Sequence, residues 1–404
     1  MSDPRNPEQS IYSQAHLVWL GILLFMMHLG SRRQLRFERI ADAFGSNLAL
    51  LSGQSDLEFV ADPDTLAYYA QRVSPGKIEE VLASITVSLI RKKVFDTFRL
   101  YGYFPIAIDG TQICTFDYEP WPDCPHRKLS NGSIQYFSYV LDAKLVTPCG
   151  MALTLASEML TNEGFENFEK QDCELKAFPR LVKKLHALFP RTPLCLLLDG
   201  LYANQNVIRL VEGNRWKYIT TFKEGSMPER FTEALALARL QKDNRLLVKE
   251  KTRTQSFRWV NKLPIAEFTP NVIFCREKPE NKEATNFVWL TNFHVYRNNI
   301  QNIANKGGRL RWNIENQGYN VQKNDGYEME HAYSEDKNGF RVFYTLLLMA
   351  HYITQLILHG NLIRSLAQSF GSAKNFARRL AESMRNYILP DDLQLPGQIR
   401  FQPP

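Results

Sequence analysis

The chain has 404 residues, 44% of them apolar and 23% charged, enough for a sizeable core and ordinary for a globular protein. Its net charge of +7 points toward a polyanionic partner rather than a basic one. Six cysteines, at 114, 124, 149, 173, 195 and 275, form no CxxC pair and no tight spacing, and read as reduced thiols in a cytoplasmic protein.

Residues 1–100 read as helical. The first segment, LVWLGILLFMMHL (17–29), is a mostly apolar stretch of 13 residues, short of the roughly 20 that span a bilayer, and no small-residue cleavage site follows it. A buried helix is expected there. Helical spacing continues through 31–44, 62–73 and 77–98, with Gly45, Gly53, Pro63 and Pro75 between segments. This region carries eleven basic and eleven acidic residues, with local clusters at Arg32, Arg33, Arg36 and at Arg91, Lys92, Lys93. Two roles fit it equally: a helical module that binds DNA ends, or a packing domain with a solvated charged face.

The periodicity changes at Phe104. FPIAIDG (104–110) is expected to be a buried strand ending in an acid, followed by strands at 134–146 and 150–160. A helix over 169–189 must kink or break at Pro179. LCLLLDG (194–200) is a second buried strand ending in an acid, then a helix at 203–214 and a strand at 216–223. Three strands able to form a meander, then helix, strand, helix, strand, predict an α/β layer with a mixed sheet.

Arg215 to Lys262 holds twelve basic and five acidic residues, a surplus equal to that of the whole chain. SFRWVNKL, NVIFCREK and NFVWLTNF suggest short strands in this insertion. Beyond it come a helical stretch at 309–323, a strongly apolar helix at 340–360 expected to pack on the sheet, a basic helix near 362–388 and a Pro-rich tail. The expected division is 1–100 helical, 101–223 first part of the core, 224–295 insertion, 296–360 final part of the core, and 361–404 C-terminal helix and tail.

The chemistry lies in three carboxylates. Asp109 and Asp199 each follow an apolar strand, a placement that opens onto the crevice of an α/β sheet. A lone acid there is more often a turn or capping residue. Glu315, four residues after Arg311, would add a third. Three clustered carboxylates require cationic compensation, and Mg2+ or Mn2+ with oxygen ligands supplies it.

On IAIDGT (106–111), LLLDGLYAN (196–204) and RLRWNIENQGYNVQK (309–323), the chain resembles the DDE transposases of bacterial insertion sequences, in the group with a long strand-containing insertion before the glutamate. The resemblance covers roughly residues 100–350. It implies an RNase H-like mixed-sheet core with flanking helical regions. It further implies two Mg2+ (or Mn2+) ions, held by Asp109 bridging and by Asp199 and Glu315 each completing one site. Double-stranded DNA would be the partner, as terminal inverted repeats and target, handled by a homodimer in the synaptic complex on the bacterial nucleoid. Arg311 would contact phosphate, and Trp312 would either stack on an unpaired base or join the core. The group's signature has Tyr three residues before the Arg and Lys seven after the Glu. Here those positions are Gly308 and Gln322, and Lys323 can replace the lysine only if the helix loosens near Gly318. The competing readings are an RNase H-like nuclease that cuts without joining and a catalytically decayed DNA-binding derivative.

Overall fold

The computed structural model describes residues 3–6, 8, 10–54, 57, 59–164, 171–280, 282–390 and 397–401. The N-terminal hundred residues are helical, as their spacing predicts: α1 (Gln14–Met26), α2 (Leu35–Glu38), α3 (Asp42–Ser52), α4 (Pro63–Arg72) and α5 (Pro75–Arg91). Ser13 caps α1 by accepting from the His16 N–H, and Pro63 and Pro75 open α4 and α5 at the first turn, where a missing N–H costs nothing.

From Phe104 onward the backbone pairs into one ten-stranded sheet. Its strands are β1 (Phe104–Phe116), β2 (His126–Lys128), β3 (Ile134–Val146), β4 (Ala152–Met159), β5 (Leu194–Leu198), β6 (Lys217–Thr221), β7 (Arg245–Lys249), β8 (Arg253–Val260), β9 (Asn271–Pro279) and β10 (Thr285–Thr291). The order is β2-β3-β1-β5-β6-β10-β9-β8-β7, with β4 also on β3. β1, β3 and β4 form the expected antiparallel meander. β5 and β6 run parallel to β1, which requires crossovers, supplied by α6 (Glu174–Leu188) and α7 (Gln205–Gly213). α6 continues through Pro179 instead of ending there; the first two residues of the expected helix, 169 and 170, lie outside the described residues.

The strands expected in the insertion are present as β8, β9 and β10, joined by α8 (Pro228–Leu240) and the unanticipated β7. They extend the central sheet, because β10 pairs antiparallel with β6. The chain then forms α9 (Ile300–Asn305) and an irregular helical run that ends in α10 (Asn320–Asn324). α11 (Lys337–His359) follows. It packs against β4 on the sheet and against α1, α4 and α5, so the N-terminal helices and the sheet share one buried core. Among the described residues α11 alone is long and apolar enough to cross a membrane, yet 78% of its most apolar window is buried within the protein. The basic C-terminal segment is two helices, α12 (Arg364–Phe370) and α13 (Ala373–Asn386), the latter tied to α2 by the Arg385–Glu38 pair.

Candidate active site

Asp109 does not end its strand. β1 continues to Phe116, while its parallel pairing with β5 runs only from Phe104 with Leu194 to Ala107 with Leu197. Asp109 therefore sits where the neighbouring strand has just stopped, which opens space beside a residue still held rigidly by β3, opposite Asp142. Asp199 lies two residues beyond Leu197, as Asp109 lies two beyond Ala107. Continued past its last pair, that register sets Asp199 opposite Asp109, one strand spacing of about 4.8 Å away, and both acids act on the Tyr139 and Tyr202 phenols. Asp199 also caps the short 3-10 turn Gly200–Tyr202, its Oδ1 accepting from the Leu201 N–H at 2.8 Å.

The third acid arrives on a helix of unusual geometry. Gly308–Trp312 is a 3-10 turn, Ile314–Tyr319 a π-turn with i→i+5 bonding, and α10 completes the run. Arg311, 8% exposed, donates from Nη1 to Asp109 Oδ2 at 3.0 Å and from Nη2 to Glu315 Oε1 at 3.1 Å. What the sequence presents as a surface Arg–Glu pair is thus a buried guanidinium joining two of the three acids. Tyr319 at the end of the π-turn donates to the Asp109 carbonyl at 2.6 Å, anchoring the helix to β1. Burial pushes the Asp109 carboxyl up to about 7; Arg311 opposes the shift, and Glu315 and Glu174 reinforce it.

Nothing in the sequence around Glu174 marks it as a site residue. It opens α6, where an acid ordinarily interacts with the helix dipole, so its position in the sequence carries no distinguishing signal. Its Oε1 accepts from Tyr139 OH at 2.5 Å and its Oε2 from Tyr202 OH at 2.9 Å. Both phenols are held well above their ordinary pKa, by burial first and by Glu174, and Asp109 and Asp199 contribute to both shifts. Four carboxylates therefore act on one region. Gly110 makes the approach possible: a Cβ there would stand 2.5 Å from Tyr139 Cε1 and 2.7 Å from Glu174 Oε1.

The remaining expected residues divide. Trp312 is half exposed, with Arg311 stacked over its ring at 5.0 Å, so it is not a core residue. The helix does loosen next to Gly318, but Lys323 pairs with Glu330 at 3.0 Å instead of reaching the acids. Gln322 is fully buried, and a Cβ on Gly308 would lie 2.4 Å from Trp289 Nε1, so Trp289 fills the space a tyrosine there would need.

The donor set fits a divalent cation in kind: hard carboxylate oxygens, more negative charge than Arg311 compensates, and Asp109 held up to about 7 by burial first and by the neighbouring Glu315 and Glu174. It is not preassembled. Among the described residues no three His, Cys, Asp or Glu side chains are grouped to hold a metal, and Arg311 bridges two of the acids. No protein-family model matches the chain, and no curated protein matches it.

Proposed function

We propose that the chain is a DDE transposase with an RNase H-like core, cutting and joining DNA strands at the ends of an insertion sequence. The observation that carries this reading is the meeting of Asp109 and Glu315 through Arg311, with Asp199 one strand away at the same level. The meander β1-β3-β4 followed by parallel β5 and β6 supports the fold, since the resemblance implies that order with the first acid on the first strand and the second after the fourth.

Asp109, Asp199 and Glu315 would hold two Mg2+ or Mn2+ ions, which when bound activate a water or a terminal 3′-hydroxyl and stabilise the leaving oxygen. Glu174 adds an oxygen donor beside Asp109. Arg311 has two successive tasks: it neutralises Asp109 and Glu315 while they are unliganded, and once they are occupied its planar fork is free for the phosphate next to the cut. Trp312, exposed and adjacent, offers a stacking surface for an unpaired base.

The outer sheet supplies the DNA-facing charge. Arg245 and Lys249 on β7, Arg258 on β8, and Arg276 and Lys278 on β9 are all exposed on one face, with no acid between them. Arg245 and Arg258 are direct cross-strand partners, a like-charge pairing that destabilises a sheet unless an anion covers it. Among the described residues none of the five is ion-paired. Replacing Arg258, Arg276 and Lys278 by alanine should lower the salt slope of DNA binding by about 2–3. A slope equal to wild type would remove this face from the interface.

The direct test is an assay on DNA containing the sequences that flank the gene, with and without Mg2+. Joined as well as cut products are expected from the wild type, and neither from Glu315→Gln despite retained binding. Cutting without joining would favour the nuclease reading; full activity of Glu315→Gln would reject the site.

A further inference from the structure

Beneath the π-turn lies an enclosed polar cluster that the cleavage chemistry does not use. Lys144 on β3 and Asp142 beside it are both 0% exposed. An ammonium has three N–H donors, and this one meets three partners: Asp142 Oδ2 at 3.1 Å, Gln322 Oε1 at 2.9 Å, and the face of Tyr319, its centroid 4.5 Å away. Tyr344 OH donates to Asp142 Oδ2 at 2.8 Å, and the Gln322 amide nitrogen lies 3.0 Å from His351 Nδ1. A buried ion pair is generally no more stabilising than apolar residues packed in its place, so stability alone does not account for it.

What Lys144 touches is more informative. Gly318 and Tyr319 are the last residues of the π-turn, and Gln322 belongs to the helix that follows it. The Lys144 chain lies flush against Gly318, 3.4 Å from where a Cβ would stand. Before the turn, Asn313 Nδ2 donates to the carbonyl of Thr147, just past the end of β3, at 2.9 Å. One strand with its following residue thus grips the helix on both sides of Ile314–Tyr319. A π-turn is a rare geometry that an unconstrained helix gives up for α, and losing it rotates what lies on one side by about 100° per displaced residue. Glu315 is inside that turn.

We propose that Lys144, neutralised by Asp142, is a positioning residue: it fixes Gly318, Tyr319 and Gln322 so that the helix keeps its π-turn and Glu315 stays aimed at Asp109. The inference rests on Glu315 acting as a ligand, but the conformational part can be measured independently of activity. The test variant is Asp142→Leu with Lys144→Met, which removes both charges together and strands neither. Its backbone amides over 314–322 should exchange with deuterium at least about tenfold faster than wild type, with β1 unchanged. Its kcat for metal-dependent cleavage should fall about a hundredfold, with KM and DNA affinity within about twofold of wild type. Should the double variant not fold, Gln322→Leu is measured in its place, with the same local exchange expected. Wild-type exchange over 314–322 in a folded variant overturns the inference, whatever the cleavage rate. Faster exchange there, in a protein whose wild type shows no metal-dependent cleavage, sustains the clamp and overturns the transposase reading instead.

Discussion

Asp109→Asn is expected to stabilise the metal-free protein at pH 8 by about 1–3 kcal/mol while removing cleavage. Burial raises the Asp109 carboxyl from 3.8 to about 7, so ionising it opposes folding. Below about pH 4 both folded and unfolded states hold the proton and the residue contributes nothing to the difference. Between 4 and 7 the unfolded chain releases a proton that the folded chain keeps, so stability falls as pH rises, and above 7 the full penalty is present. Asparagine keeps the shape and removes the charge. Thermal melts of wild type and Asp109→Asn should therefore coincide near pH 4 and separate above pH 7. Mg2+ should raise the wild-type melting temperature at pH 8 and leave the variant nearly unmoved. A variant less stable than wild type at pH 8 would show that the carboxylate is not a destabilising charge.

Arg311→Ala is expected to separate metal affinity from catalysis. Without Mg2+ at pH 8 it should lose about 3 kcal/mol of stability, because Asp109 and Glu315 are left as partly buried acids with no cation. The same acids become free of a competitor, so Mg2+ should bind about tenfold more tightly, measurable by calorimetry. Cleavage should nevertheless fall about a hundredfold or more, because the phosphate has lost its planar donor. Weaker Mg2+ binding in this variant would mean that Arg311 helps assemble the cation site rather than occupying it.

The contrast between these residues explains what a linear reading can reach. Asp109 and Asp199 are recognisable because five consecutive apolar residues, 104–108 and 194–198, precede them, so each acid stands out against a run that reads as a buried strand. Glu315 is recognisable only with its neighbours, as one member of a pattern with Arg311. Glu174 has no such context. It becomes part of the site because the crossover from β4 to β5 begins at the level of Gly110, and Gly110 lacks the Cβ that would exclude it. Lys323 illustrates the converse: the loosening that its role required does occur, yet the side chain pairs with Glu330.

The local and periodic features are legible along the chain: where helix gives way to strand, the meander and the crossovers, the burial of α1 and α11, and the two acids that follow apolar runs. These depend on side-chain periodicity and on residues close in the chain, which a linear pattern records. That the insertion's strands continue the central sheet, and that Arg311 spans residues 109 and 315, follows from the folded arrangement alone. The same holds for Glu174, brought beside Asp109, and for the helix carrying Glu315, gripped in a π-turn by Lys144. Each of these depends on contacts between distant segments, and their energetics arise only when burial removes water and leaves each charge the few partners the fold puts within reach.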